Sequence, residues 1–248
     1  MRDIKNYAEN YIKDAGESFE DIMVKYRRKK VLKLLDKYAH RKILEIGCGL
    51  EPLFKFLDSN FYDEYTVIEP SKDFYKNAVN LAKNNHKIIC RNEFFSANND
   101  LKNKEFDFII ISGLLHEVER PNEFLAEVKK ICRQNTIVHI NVPNANSFHR
   151  LLAKAMGLIK DTTDFSARNV IYQQHNVFDL NSLENLVKSS GFDVMEKGSY
   201  FIKPFTHKQM YAMIKENIID ESVLDGLYTL NDTLPFGGGV SVRRFTRT

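Results

Sequence analysis

Residues 42–52, KILEIGCGLEP, limit more than any other stretch what this chain can fold into. Ile43, Leu44 and Ile46 make a short apolar run of the kind a buried strand shows. The run breaks at Gly47-Cys48-Gly49, and a helix-compatible segment opens near Pro52. A strand that ends in glycines before a helix brings backbone N–H groups close to a ligand, because glycine has no Cβ to hold the ligand away. Two nucleotide-type ligands use such a turn. A dinucleotide site wants G-x-G-x-x-G with its diphosphate on the helix N-terminus. Here Pro52 occupies the third glycine position and Glu45 precedes the first glycine by two residues. A carboxylate there opposes a diphosphate and suits a ligand that carries an ammonium group.

At these residues the chain resembles the class I S-adenosylmethionine-dependent methyltransferases, whose first motif is an acidic residue, x, Gly, x, Gly, x, Gly. Glu45, Gly47 and Gly49 match, while Glu51 stands where the third glycine is usual. The resemblance implies S-adenosylmethionine as cofactor, S-adenosylhomocysteine as product, and Glu45, Gly47, Cys48 and Gly49 around the ligand. A β-branched run, residues 65–70, ends in Glu69-Pro70, about 20 residues beyond the glycines, where a carboxylate accepts hydrogen bonds from both ribose hydroxyls. That spacing fits NAD equally. Ser71 caps a helix with Phe74, Ala78, Leu81 and Ala82 on one face. After a third strand at 86–91, the family's usual adenine contact would fall on Asn92 or Glu93, with Phe94 against the ring.

The buried run FDFIII, residues 106–111, leads into SGLLHEVERP at 112–121. Many small-molecule methyltransferases carry a similar stretch after strand four: an apolar pair, an adjoining His and Glu, then a proline. The commoner order is Glu-His; here it is His116-Glu117. The resemblance places Ser112 and Gly113 at the cofactor. His116, at the carboxyl edge of a parallel sheet, is set to touch the cofactor or take a proton from an acceptor hydroxyl.

The remaining elements follow from periodicity. Residues 1–24 form a short helical or irregular arm, and Val31, Leu34, Leu35 and Tyr38 mark a helix over 26–38. In related enzymes such N-terminal segments fold over the cofactor, which implies that Tyr26 or Arg27 meets its carboxylate. A helix is expected over 52–58, another capped by Asn122 with Phe124, Leu125, Val128 and Ile131 buried, and a fifth strand at 136–142. Strands alternating with helices argue for an α/β doubly wound, Rossmann-like parallel sheet. The resemblance implies seven strands, mostly parallel, the last antiparallel, with helices on both faces.

Residues 144–175 replace a short connection with an amphipathic helix and a polar stretch. In resembling enzymes this insertion covers the acceptor pocket, so Asn144, His149, Arg150, Tyr172 and His175 are candidate pocket residues. VPNANSFHR is similar to a subgroup often found among surface-polysaccharide and natural-product genes. Asn181 to Glu184 reads as a capping box for a helix over 181–190 stopped by Gly191. A sixth strand over 192–203, a helix over 206–219 and a closing edge strand at 240–245 after Gly237-Gly238-Gly239 complete the chain. One domain is expected: arm 1–39, cofactor-binding core 40–143, insertion 144–175 and C-terminal half 176–248.

Composition excludes several classes. A formal charge of +3 over 248 residues gives no electrostatic footprint for nucleic acid or membrane. Three scattered cysteines, Cys48, Cys90 and Cys132, lack zinc-site spacing and read as buried thiols in a reducing cytosol. The polar N-terminus has no signal-peptide core, and no apolar run is long enough to span a membrane, so a cytoplasmic protein is expected. Methyltransferases acting on exocyclic base or glutamine amides usually show Pro-Pro-Tyr or Pro-Pro-Phe where this chain has Ser112-Gly113-Leu114, and no Pro-Cys pair is present. The expectation is O-methylation of a small-molecule acceptor, on a sugar, nucleotide-linked sugar or phosphoryl-type group, with His116, His149 or His175 as the base. Two other classes compete: a non-catalytic cofactor-binding partner subunit, and an NAD-dependent oxidoreductase, against which Glu45 and Pro52 count.

Overall fold

A computed structural model describes residues 3–38, 40–234 and 239–243. The N-terminal arm is two helices joined by a turn: α1 (Ile4–Asp14) is capped by the Asp3 side chain, which accepts the Asn6 N–H, and α2 (Glu20–Leu35) follows. Next come β1 (Lys42–Ile46), β2 (Glu64–Ile68), α3 (Lys72–Ala82), β3 (Ile88–Arg91), α4 (Asn99–Lys102), β4 (Phe108–Ser112) and α5 (Pro121–Lys130). After β5 (Ile137–Val142) lie α6 (Phe148–Ala155), α7 (Ala167–Ile171), α8 (Leu180–Ser189), β6 (Glu196–Tyr200), α9 (His207–Lys215), α10 (Glu221–Thr229) and β7 (Gly239–Arg243).

The strands form a seven-stranded sheet in the order β3-β2-β1-β4-β5-β7-β6. Pairings from β3 through β5 are parallel, and β7 runs antiparallel to both neighbours. Alternation along each central strand divides the core in two. Ile43, Tyr65, Val67, Phe108 and Ile110 pack against Val31, Leu34 and Leu35 of α2 and Ala78 of α3. Leu44, Ile46, Ile109, Ile111 and Val138 pack on the other face against Leu125 and Val128 of α5 and Leu183 and Val187 of α8. Because both faces are covered, these strands read as continuous apolar runs.

Several local expectations need correction. The final strand is not at an edge but is threaded between β5 and β6, and residues 244–245 of the expected strand lie outside the described residues. The segment after Pro52 is a single 3-10 turn, Leu53–Phe56, too short for a helix because Leu57 is already extended. Asn122 lies inside α5, which begins with Pro121 at its first position, where proline's missing N–H costs nothing. The capping box of α8 uses Asp179 and Ser182 rather than Asn181 and Glu184. β6 spans only five residues, since Phe201 takes a left-handed φ of 56° and turns the chain out of the sheet.

Candidate active site

The loops at the carboxyl ends of β1, β2, β4, β5 and β6 converge on one cavity of about 300 Å³, roofed by α1, α2 and the insertion. Its first wall is the glycine turn. Gly47 and Gly49 adopt φ of 75° and 62°, which glycine reaches without steric cost. The Gly47 N–H bonds to the Ile68 carbonyl at 2.9 Å, so the turn is tied to β2 from its first residue. A Cβ at Gly47 would sit 3.2 Å from the Leu114 side chain. Gly47→Ala is therefore expected to lower unfolding free energy by about 1–2 kcal/mol, read by urea denaturation, from left-handed strain plus crowding.

Glu69 is the second wall. Its Oε2 accepts the Gly49 N–H at 3.2 Å and its Oε1 accepts the Ser71 N–H at 2.9 Å, which locks the glycine turn to the start of α3. Cys48 lies beside it, with Sγ 3.8 Å from Oε2; burial pushes its thiol well above the ordinary range, leaving it a packed, unreactive sulfur. Ser112 and Gly113 supply the floor. Gly113 has φ of 68°, and a Cβ there would come within 3.0 Å of the Arg27 guanidinium, so glycine gives Arg27 its seat. Arg27 thus reaches the cavity, whereas its neighbour Tyr26 is buried against Phe201 and Tyr228 and donates to Asp225.

Other expected contacts fall elsewhere. Glu45 does not line the cavity: its carboxylate accepts the Leu53 N–H at 3.0 Å and the Tyr65 hydroxyl at 2.8 Å. It braces the turn from behind. Burial lifts its pKa to about 7, against the opposing pull of those hydrogen bonds. A carboxyl raised in the folded state binds protons that the unfolded chain has released, so its stability contribution worsens as pH rises through 4.5 toward 7. Glu45→Gln should therefore gain on the wild type by about 2–3 kcal/mol between pH 5 and pH 8, measured by denaturation at both.

Asn92, Glu93 and Phe94 also lie outside the lining. Asn92 donates to the carbonyls of Glu69 and Pro70, at 2.9 and 3.1 Å, and so holds the backbone of that loop. Glu93 turns toward Arg91, and Phe94 is exposed. His175 is exposed too, and its backbone N–H bonds the His116 carbonyl.

The cavity does gather Pro70, Asn144, His149, Arg150, Tyr172 and His116. Buried His116 has Nε2 3.8 Å from Glu117 Oε1, which also accepts the Tyr7 hydroxyl at 3.3 Å. His149 stands 3.1 Å from the Ser147 hydroxyl. Burial, reinforced by the charges of Lys203, His207 and Arg150, drives its pKa down to about 2.

Sequence reasoning missed the residues that close the far end. Tyr7 and Tyr11 of α1 pack edge-on against Phe74 and Tyr172 at ring separations of 6.0–6.3 Å, forming an aromatic roof. Beneath it Glu20 is a hub: its Oε2 receives Arg168 at 3.1 Å and His207 Nε2 at 3.2 Å, and Arg27 lies 3.8 Å from Oε1. Burial alone would raise its pKa, but the His207 hydrogen bond and the Arg27 and Arg168 charges bring it down to about 2. Lys203 extends the chain, 2.8 Å from His207 Nδ1. The i, i+4 spacing of Tyr7 and Tyr11 was a usable signal; nothing local marked Glu20, Lys203 or His207. Among the described residues no cluster of histidine, cysteine or carboxylate side chains is disposed to hold a metal.

With this geometry in place, comparison with known proteins identifies the class. A family model described as a methyltransferase domain matches residues 21–197, and the chain belongs to that family, the class I S-adenosylmethionine-dependent methyltransferases that its sequence resembles. Among solved structures it is similar to a possible histamine N-methyltransferase from Thermotoga maritima, with TM-score 0.63 and 16% identity over 98% of this chain and 100% of that one. It is also similar to the N-methyltransferase NodS from Bradyrhizobium japonicum, solved with S-adenosylhomocysteine, with TM-score 0.54 and 13% identity over 95% and 91% of the two chains. A third likeness is to a complex of the Haloferax volcanii Trm112 methyltransferase activator and a putative methyltransferase, with TM-score 0.60 and 10% identity over 100% and 99%. The search of curated proteins found no match. No helix among the described residues is long and apolar enough to cross a membrane.

Proposed function

We propose that this chain methylates an oxygen of a small acceptor held in the cavity, with S-adenosylmethionine as donor. The observation that carries the reading is that Glu69, the glycine turn and the His116–Glu117 pair line one cavity. The residues present fit the cofactor: two glycines at positive φ carry no Cβ to hold a ligand off the turn, and a buried carboxylate stands where ribose hydroxyls would be met. The bound cofactor supplies a methyl group on a positive sulfonium, so the protein's main task is alignment, a contribution of about 7–11 kcal/mol.

Alignment falls to the walls. Glu69 holds the glycine turn against α3, Arg27 over Gly113 offers a cation to a carboxylate, and the aromatic roof covers the cavity. A hydroxyl acceptor must also lose a proton. Of the three expected histidines, His116 is the best placed, because the Glu117 carboxylate 3.8 Å away stabilises the imidazolium it would become. His149 is opposed in that role by Lys203 and Arg150, and His175 lies outside the lining. Asn144, Arg150 and Tyr172 border the acceptor side as substrate contacts. The similarity of VPNANSFHR to a subgroup common among surface-polysaccharide genes supports a sugar, nucleotide-linked sugar or phosphoryl-type acceptor.

Methyl transfer from labelled S-adenosylmethionine to a panel of such acceptors, beside matched amines, tests this. His116→Ala should lower kcat by about 10²–10⁴ while leaving S-adenosylhomocysteine affinity within about threefold. Transfer to amines alone, or full kcat in the variant, would overturn the reading.

A further inference from the structure

The far end of the cavity gathers several cationic side chains, and one of them, Lys203, is almost wholly buried. Two cationic side chains outside the cofactor contacts meet there, Arg168 from α7 and Lys203 from the loop after β6, with Arg27 of α2 beside them. One carboxylate, Glu20, lies among them and is already engaged by Arg168 and His207. Asp21, the other acid on this side, is exposed and accepts the Gly16 N–H; Asp14 meets Arg168 at 3.9 Å from outside and bonds the Tyr172 hydroxyl. Arg150 donates from Nε and Nη2 to the carbonyls of Thr162 and Asp164, which pins the insertion loop.

Lys203 is the telling residue. It is only 5% exposed, and its Nζ has His207 Nδ1 as hydrogen-bond partner. Since His207 Nε2 faces the Glu20 carboxylate, the ring proton belongs on Nε2, and Nδ1 is left to accept from Lys203. Among the described residues no carboxylate pairs with that ammonium directly. Burial, together with Arg168 and Arg150, pushes its pKa down to about 7 against the pull of Glu20. A lysine head buried among other cations is costly unless an anion arrives to share the space.

We propose that the acceptor carries an oxyanion, a phosphate or a carboxylate, and that Lys203 and Arg168 bind it at the end of the cavity remote from Glu69. This rests on the methyltransferase reading and narrows its acceptor to an acid. The anion group anchors the molecule, and the atom to be methylated is presented toward His116. Lys203 and Arg168 then set substrate specificity, with Glu20 and His207 holding both in position.

The test titrates the full chain calorimetrically with inorganic phosphate and, in a second arm, with acetate, in wild type, Lys203→Met and Lys203→Arg. S-adenosylhomocysteine is titrated into each, and thermal melts confirm folding. Wild type is expected to bind at least one anion at millimolar concentration. Lys203→Met should lose about tenfold and Lys203→Arg should regain most of it, while S-adenosylhomocysteine affinity stays within about threefold. Tighter binding of phosphate than of acetate identifies a phosphorylated acceptor, and the reverse identifies a carboxylic acid. If S-adenosylhomocysteine binds but neither anion does, or if a folded Lys203→Met binds anions like wild type, the anion subsite is wrong and the methyltransferase reading survives. Failure of S-adenosylhomocysteine alone would instead strike the cofactor site.

Discussion

Glu69→Ala is expected to weaken S-adenosylhomocysteine binding about 100-fold, measured by calorimetric titration. Two charge-assisted hydrogen bonds are lost at once, from Gly49 and Ser71, each of a type that contributes about 1.5–3 kcal/mol. The carboxylate that would meet the ribose also disappears. The glycine turn and the start of α3 are then free to separate, so the pocket loses its shape as well as its acceptor. Glu69→Gln separates the two contributions. Its amide oxygen can still accept one backbone N–H, so this variant should retain fold and turn yet bind about tenfold more weakly, through the lost charge and the one lost hydrogen bond. Wild-type affinity in Glu69→Ala would show that the ligand sits elsewhere.

Glu20→Ala carries the other large effect, and it falls on stability. Glu20 is the only carboxylate within reach of Arg168, His207 and Arg27 together, among the described residues. Removing one partner of a buried ionic group leaves the remaining cations uncompensated, at about 3–5 kcal/mol. Urea denaturation at pH 7 reads the loss. The pH dependence follows from the sign of the shift. A carboxyl whose folded pKa is lowered to about 2 stabilises fully above its unfolded value near 4.5 and loses that contribution as pH falls toward 2. Wild type should accordingly lose stability more steeply than Glu20→Ala between pH 5 and pH 2, and parallel curves would show that the hub is not a paired ion cluster.

The glycine-turn side of the cavity was legible in the sequence because each residue there sits beside a strong local signal. Gly47 and Gly49 end an apolar run, Glu69 ends a β-branched one, and Ser112-Gly113 follows FDFIII. Strand ends at the carboxyl edge of a parallel sheet converge by topology, so finding the strands located the pocket. Glu45 shows the limit of motif reading: it stands at the motif position, yet the path of β1 turns its side chain to Tyr65 and Leu53, behind the turn. Asn92 shows another, since a polar residue after β3 serves the Glu69–Pro70 backbone just as well as a ligand. The opposite side of the cavity was illegible for a different reason. Glu20, Arg168 and the Lys203–His207 stretch come from three segments up to 187 residues apart, and their meeting depends on tertiary packing that no local pattern encodes. The threading of β7 between β5 and β6 is likewise a matter of topology, not of strand propensity.

The measurement that bears most directly on the central claim is a calorimetric titration of the wild-type chain with S-adenosylhomocysteine beside NAD, after any co-purified ligand has been removed. A cavity built on Glu69 and the Gly47–Gly49 turn, with Pro52 in place of a third glycine, predicts one-to-one micromolar binding of the thioether, about −8 kcal/mol, and none of the dinucleotide. Binding of NAD, or no binding of S-adenosylhomocysteine, would contradict it.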